Sequence, residues 1–487
     1  MINQKLLFAR AYEKEGCAEI PSEARPRFHL TPCVGWTNDP NGFSFYKNQF
    51  HLFYQYNPYK TVWDSMHWGH VVSDDLLNWK YLPCALAPDE PYDSFGVFSG
   101  SAIELPDGKQ LLMYTGVLKE GGDHGKDVQT QCIAVGDGLD YHKYEGNPVL
   151  DASDLPEGMS RNDFRDPKIW QEADGTYRCV VGTRVPDKEG AIVLFSSPDG
   201  FRWKYESILI RNDGRFGMMW ECPDFFELDG KHVLLCSPQD MLPEGFEYHN
   251  GNGTLCLIGQ LDAERKHFTY EHNQSVDYGI DFYAPQTTLA PDGRRLMIAW
   301  MQNWDIQEHL HGKKWFGQMT LPREVSVRNG HLCQWPAREV EALRVKTVSH
   351  RDVQVGKTVT LPGVCGRYVD MEIAVRDVKD SFTVSFAQDA QHKTTLTYDA
   401  LRGLVTLDRS ASGTRRAFVH TRSCMVDTSG SIRLRVILDR NSAEVFVNDG
   451  EKTLTMTLVT PVTAEGIAFE ANGGAAMDVT LHELEHH

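Results

Sequence analysis

Three short acidic segments hold the side chains best suited to chemistry: Trp36-Thr37-Asn38-Asp39-Pro40-Asn41-Gly42, Phe164-Arg165-Asp166-Pro167 and Trp220-Glu221-Cys222-Pro223-Asp224. Each sets a carboxylate among aromatic or amide side chains, and two place a proline directly after the acid. Two carboxylates flanking a glycosidic bond are the least that its hydrolysis requires. A third can hold charge on the sugar as an oxocarbenium-like transition state develops. Taken singly, Asn-Asp-Pro-Asn-Gly has the composition of an ordinary turn, and Arg165 beside Asp166 reads as a local ion pair. Glu221 is harder to dismiss, because an acid among apolar strand neighbours costs free energy unless it is used or paired. A catalytic reading therefore needs the three segments to converge.

An internal repeat provides for that. Asp75-Leu-Leu-Asn-Trp-Lys-Tyr81 returns as Asp199-Gly-Phe-Arg-Trp-Lys-Tyr205, with a degenerate copy from Asp137 to Tyr144 and a weaker one from Asp262 to Phe268. The leading aspartates are 62, 62 and 63 residues apart, and a fixed period signals an array of like units. Between them lie short segments rich in aromatic and β-branched residues, such as His51–Tyr56, Gln110–Thr115, Ala191–Ser196 and His232–Cys236. Turn residues separate them, so they read as strands. About four strands per long repeat make a propeller blade, and residues 25 to 335 hold five such periods. Asp39, Ser99, Asp166 and Glu221 stand 36, 38, 33 and 41 residues ahead of the next marker aspartate. All four thus fall early in their blades, where the innermost strand borders the central channel.

With these residues in place the chain resembles glycoside hydrolase family 32, the invertases, fructan hydrolases and sucrose-6-phosphate hydrolases. The family's Trp-Met-Asn-Asp-Pro-Asn-Gly matches residues 36–42 except at Thr37, its Arg-Asp-Pro matches 165–167, and its Glu-Cys matches 221–222. Phe53–Pro58, Met66–His70 and Asp281–Thr287 match as well, and the likeness runs from about residue 27 to 480. It implies an all-β chain, a five-bladed β-propeller followed by a C-terminal antiparallel β-sandwich. It also implies a retaining β-fructofuranosidase acting through a fructosyl-enzyme intermediate, on sucrose, sucrose 6-phosphate or short fructo-oligosaccharides. Position by position, the nucleophile falls on Asp39, the general acid/base on Glu221 and the transition-state stabiliser on Asp166, charged beside Arg165. Three acids in one partly desolvated pocket favour one of them keeping its proton.

The resemblance assigns fructosyl-hydroxyl contacts to Asn38, Gln55, Ser99 and Arg165, and aromatic walls to Trp63, Phe98, Tyr283 and Trp304. Trp79, Tyr141 and Trp203 of the repeat are expected to pack between blades. His67 and His70 stand three apart without a third ligand at suitable spacing, so no metal and no cofactor is expected. Two other readings stay open. A fructosyltransferase would use the same acids, with Thr37 as the departure that admits it; a non-catalytic sugar-binding propeller would be expected to have lost an acid.

The expected organisation is an N-terminal extension over 1–26, the propeller over 27–336, a linker over 337–350, a sandwich over 351–483, and 484–487 as a tag remnant. Segment 337–345 reads equally as a short helix or an extended arm. Beyond it come about seven short alternating strands, including 368–375, 381–386, 432–438 and 442–447, the pattern of an antiparallel sandwich.

The net charge of −18 over 487 residues argues against nucleic acid and anionic membranes as partners; the partner is a small sugar. Monomer and homo-oligomer are both compatible with this sequence. No apolar run approaches the ~20 residues of a membrane span, and the N-terminal apolar stretch is too short for a signal peptide. Eleven scattered cysteines read as reduced cytosolic thiols, not a disulfide framework. A cytoplasmic location follows, with imported sugars as substrates. A phosphorylated sugar would want a basic patch, and His309, His311, Lys313 and Lys314 are candidates for it.

Overall fold

The computed structural model describes residues 3–121, 126–185, 189–305, 313–413 and 418–485. Five antiparallel sheets succeed one another along the chain, with first strands Gly35–Tyr46, Gly96–Glu104, Phe164–Gln171, Trp220–Leu228 and Tyr283–Leu289. Each first strand neighbours the next, and the fifth neighbours the first, so the five line a common channel. They begin 61, 68, 56 and 63 residues apart, which is the expected period with variable loops. Ring closure comes from Trp315–Phe316, which pairs in parallel beside Gly35 and Trp36.

The marker aspartates now have a physical role. Each lies in the turn between the third and fourth strands of its blade and accepts from backbone N–H groups two to five residues on: Asp75 from Leu77 and Asn78, Asp137 from Leu139 and Asp140, Asp199 from Phe201 and Arg202, Asp262 from Lys266 and His267. These are side-chain-closed turns of the kind aspartate favours. The fifth blade makes the same connection with the two-residue hairpin Asn329-Gly330, both at positive φ, so it needs no marker. Tyr141 is buried edge-on to Phe53, and Trp79 and Trp203 pack against the cores, as expected for blade packing.

The chain leaves the propeller through a 3-10 turn at Arg338–Leu343. Residues 344–350, expected as linker, already belong to the strand Arg344–Val355, which pairs with Ala475–Leu484. The sandwich has a six-stranded and a five-stranded sheet, more strands than the seven expected. Thr394–Asp399 and Lys452–Thr457 are among those the sequence hides. They are threonine-rich, and threonine satisfies a buried or an exposed site, so the alternation is weak in the sequence although Thr394–Asp399 is strictly alternating in burial. Between the sheets Met371, Phe382, Val384, Val436 and Phe469 are buried.

Buried ions join the two modules. Arg323 reaches Glu444 and Asp277, and His29 lies between Asp439 and Glu444, 2.8 Å from each. Arg409 meets Asp281. Ahead of the propeller, helix α1 (Gln4–Ala18) lies along blade I. Its Cys17 is disulfide-paired with Cys33, which corrects the expectation of thiols throughout. Beside it, Gly16 lies so close to Val34 that a Cβ there would be 2.9 Å from a Val34 methyl. The other nine cysteines are free, seven of them buried.

Candidate active site

All five channel-lining strands carry a bulge at one level. Extra residues interrupt the ladder at Asn38-Asp39, Ser99, Asp166-Pro167, Cys222-Pro223 and Ala284-Pro285. A bulge re-aims a side chain and frees a backbone N–H from the ladder, so proline is tolerated there. Asp166, Cys222 and Ala284 take positive φ (67°, 50° and 51°), and strain of that kind gathers at functional sites. At Gly100, beside Ser99, a Cβ would lie 2.0 Å from the Met113 carbonyl, so only glycine lets the second bulge close.

These bulges bring the three acids together. Asp39 is 8% exposed, and its Oδ2 accepts from the Ser99 hydroxyl at 2.8 Å. Its Oδ1 is buried with no partner among the described residues. Cys222 links two acids: its Sγ is 3.5 Å from Asp39 Oδ2 and 3.6 Å from Asp166 Oδ2, and its backbone N–H donates to the latter at 2.8 Å. The Asp166 N–H in turn donates to Thr115 Oγ1. Glu221 accepts on both oxygens, Oε1 from Arg165 Nη2 at 2.8 Å and Oε2 from the Tyr283 hydroxyl at 2.6 Å. The same hydroxyl lies 3.1 Å from the Ser237 carbonyl.

Electrostatics follow from burial and too few donors. Burial first, then the charge of Glu221, lifts Asp39 to about 6, against the pull of Ser99, Asn38 and Cys222. Burial also raises Asp166, while Arg165 pulls it back. Burial and the neighbouring carboxylates hold Cys222 as a thiol.

The remaining expected residues divide. Ser99 and Arg165 are at the acids, but Arg165 turns its fork to Glu221 and comes only within 3.9 Å of Asp166. Arg165 thus serves both acids: the ion pair with Asp166 read from their adjacency is present, and the bond to Glu221 is added to it. Tyr283 is a hydrogen-bonding partner of Glu221 more than an aromatic wall. Asn38 accepts from Trp36 Nε1 at 2.8 Å, and Gln55 donates to the Val97 carbonyl at 2.9 Å, so both brace the pocket wall. Phe98 and Trp304 pack on a cluster of Trp36, Met66, Tyr283, Trp300 and Phe316. Trp63 is 38% exposed and meets Phe98 edge-on at 5.7 Å. Thr37 is buried with its hydroxyl on the Gln55 carbonyl, so the one departure from the family motif sits behind the wall.

Sequence reasoning missed Thr115 and the tie beneath the acids, where Asp224 accepts from Lys168 and the Thr287 N–H and Gln286 bridges Phe43 to Gly100. The proline at residues 40, 167, 223 and 285 of four channel strands was the available signal. His67 contacts the Ser65 carbonyl and His70 pairs with His51 at 3.0 Å; no group of three metal-ligating side chains occurs among the described residues. His309 and His311 lie outside the described residues. Lys313 donates to Asn441 of the sandwich and Lys314 pairs with Glu19, so each lysine proposed for a phosphate already has a partner. No helix among the described residues is long and apolar enough to cross a membrane.

Comparison with known proteins points to the family that the motifs resemble. The model of the glycosyl hydrolases family 32 N-terminal domain matches residues 29–336, and that of the family 32 C-terminal domain matches 339–487. The chain is 35% identical to a sucrose-6-phosphate hydrolase of Escherichia coli over 467 residues, 93% of each chain. It is 35% identical to a raffinose invertase of Escherichia coli, covering 99% of this chain and 100% of that one. Among solved structures it is similar to a mutant of a Bombyx mori beta-fructofuranosidase of the same family in complex with sucrose, with a TM-score of 0.86, 34% identity, and 100% and 99% of the two chains covered.

Proposed function

The chain belongs to glycosyl hydrolase family 32, and on that premise we propose that it is a retaining β-fructofuranosidase. Its substrates would be sucrose, sucrose 6-phosphate or short fructo-oligosaccharides, each losing a terminal fructosyl unit. One observation carries the reading: three carboxylates from three blades converge, Asp39 and Asp166 on the Cys222 thiol and half-buried Glu221 beside it, and one oxygen of Asp39 has no partner among the described residues.

In this reading Asp39 Oδ1 attacks the anomeric carbon of the fructosyl unit while Ser99 holds Oδ2. Glu221 gives its proton to the departing oxygen, then takes one from the water that opens the fructosyl-enzyme. Tyr283 suits that alternation. When Glu221 is a carboxylate, the phenol donates to it; when Glu221 carries a proton, the phenol can donate to the Ser237 carbonyl and accept from Glu221. Arg165 fixes the other Glu221 oxygen. Asp166, held by the Cys222 N–H, is placed to bind sugar hydroxyls and oppose the developing positive charge. Transfer to a second sugar would use the same groups, but Thr37, the feature that suggested it, lies behind the wall. We place the enzyme in the cytoplasm, where seven buried free thiols are at home.

The test is sugar release from sucrose, sucrose 6-phosphate, 1-kestose and inulin by wild type and Glu221→Gln. Fructose from any of them, abolished by the substitution, supports the reading, and the ranking names the substrate. No release by wild type from any of the four overturns it.

A further inference from the structure

The bulged level of the channel has a second polar layer beside it. Two positions beyond Asp39, Ser99, Asp166, Cys222 and Ala284 stand Asn41, Ser101, Lys168, Asp224 and Gln286. Residues two apart share a strand face, and all five of these are polar. Apart from the short Trp315–Phe316 pairing, each first strand is laddered only to the second strand of its own blade. Its other edge faces the next blade, where buried N–H and C=O groups need partners.

The five side chains supply partners across every blade boundary. Asn41 of blade I accepts from the Gly100 N–H of blade II at 3.2 Å. Ser101 of blade II donates to the Pro167 carbonyl at 2.8 Å and accepts from the Ile169 N–H of blade III at 2.9 Å. Lys168 of blade III donates to Asp224 of blade IV at 3.1 Å, and Asp224 accepts from the Thr287 N–H of blade V. Gln286 of blade V accepts from the Phe43 N–H of blade I at 2.8 Å, which closes the ring. Two further bonds join blades that are not neighbours: Lys168 to the Thr287 carbonyl at 2.7 Å and Gln286 to the Gly100 carbonyl at 3.0 Å. Asn41, Ser101 and Asp224 are buried, where an unmade bond is expensive.

Asp39 and Glu221 lie on blades I and IV, which do not adjoin. The ring joins their strands through blade V, from Phe43 by way of Gln286 and Thr287 to Asp224. Retention needs the two carboxyls ~5–5.5 Å apart, and a misplacement of about 1 Å costs about 10²-fold in rate. Bulges aim each acid separately; only bonds between blades fix the bulged strands against one another.

We propose that Asn41, Ser101, Lys168, Asp224 and Gln286 form a belt of positioning residues that sets the spacing of nucleophile and acid/base. This rests on the fructosidase reading and deepens it.

The test is steady-state kinetics on the best-cleaved of sucrose, sucrose 6-phosphate, 1-kestose and inulin, at a temperature where circular dichroism shows each variant folded. Gln286→Met keeps the side-chain length without its polar atoms, and Ser101→Ala removes the tie between blades II and III. Val193→Ala, buried in the third strand of blade III, is the control for lost stability alone. kcat is expected to fall about 10- to 100-fold in Gln286→Met and about 3- to 10-fold in Ser101→Ala, with KM within about twofold. Val193→Ala should keep kcat within about twofold while its melting temperature drops. A kcat within twofold of wild type in both belt variants overturns the proposal, and so does an equal loss in Val193→Ala. A raised KM at unchanged kcat overturns it too, since the side chain would then serve sugar binding. If Gln286→Met does not fold, Ser101→Ala decides by the same criteria. A wild type inactive on all four sugars overturns the fructosidase reading and the belt with it; an active wild type with unaffected variants overturns the belt alone.

Discussion

The catalytic channel and the seam between propeller and sandwich both bury carboxylates beside arginine, yet Asp39 in the one and Asp439 and Glu444 in the other are held in opposite ways. In the seam, donors are plentiful. Asp439 accepts from His29 Nδ1 and the backbone N–H groups of Arg27, Phe28, His29 and Arg440. Glu444 accepts from Arg323, His29 and the Leu321 N–H. Burial pushes both carboxyls up, but these partners outweigh it and hold them below the ordinary range. Burial likewise pushes His29 down, and its two carboxylates overcome that to hold it at about 9. In the channel, Asp39 has the Ser99 hydroxyl and the Cys222 thiol on Oδ2 and nothing on Oδ1, and it rises to about 6. For these three residues, donors and positive partners separate the charges of Asp439 and Glu444, which fasten the fold, from that of Asp39, which is poised to react.

The largest effect that would break this contrast is on turnover. Asp39→Asn is expected to lower kcat on sucrose by about 10⁴-fold or more. The same variant should be more stable at pH 7.5 than wild type. A carboxyl whose folded value is raised contributes stability below its unfolded value of 3.8, and that contribution is lost as pH rises through about 6. Asparagine removes the resulting penalty, on the order of 2 kcal/mol. A lower melting temperature for this variant would put Asp39 in the same class as the seam. Glu444→Gln should do the reverse, costing about 3–5 kcal/mol in denaturant unfolding because Arg323 and His29 lose their shared partner. Its kcat/KM should stay within about twofold of wild type wherever both are folded; a large loss would mean that the seam tunes the site.

The seam should also carry its own pH signature. His29 is raised from 6.5 to about 9, so its stabilisation is complete below pH 6.5 and is lost as pH rises through about 9. Melting temperature should fall across that window by the equivalent of on the order of 2–3 kcal/mol, and His29→Gln should flatten the curve. The smallest effect sharpens the channel side. kcat/KM should decline as pH falls through about 6, since Asp39 must be ionised to attack. Ser99→Ala removes a bond that lowers Asp39, so the decline should move to higher pH, with a loss of a few-fold more at pH 6 than at pH 8. An unmoved profile would assign the acid limb to another group.

Much of this was legible in the chain. The three acidic segments, the aspartates that close a turn in four of the blades, and the phase of Asp39, Ser99, Asp166 and Glu221 all rest on contacts within a few residues. Thr394–Asp399 was not legible, because threonine carries little burial signal. Nor were the bulges, which exist only relative to a partner strand. Arg165 lies 3.9 Å from its neighbour Asp166, as read, but its bond to Glu221, 56 residues away, was not legible.

By itself, then, the sequence determined the repeat, the all-β class and which side chains could react, since period, turn chemistry and residue type are local properties. Only the tertiary structure decided how those side chains are charged and aimed. His29 meets Asp439 and Glu444 across 410 and 415 residues, and Cys222 meets Asp39 across 183. Whether a buried carboxylate holds its charge depends on such distant donors, because desolvation and hydrogen bonding act through space and not along the chain.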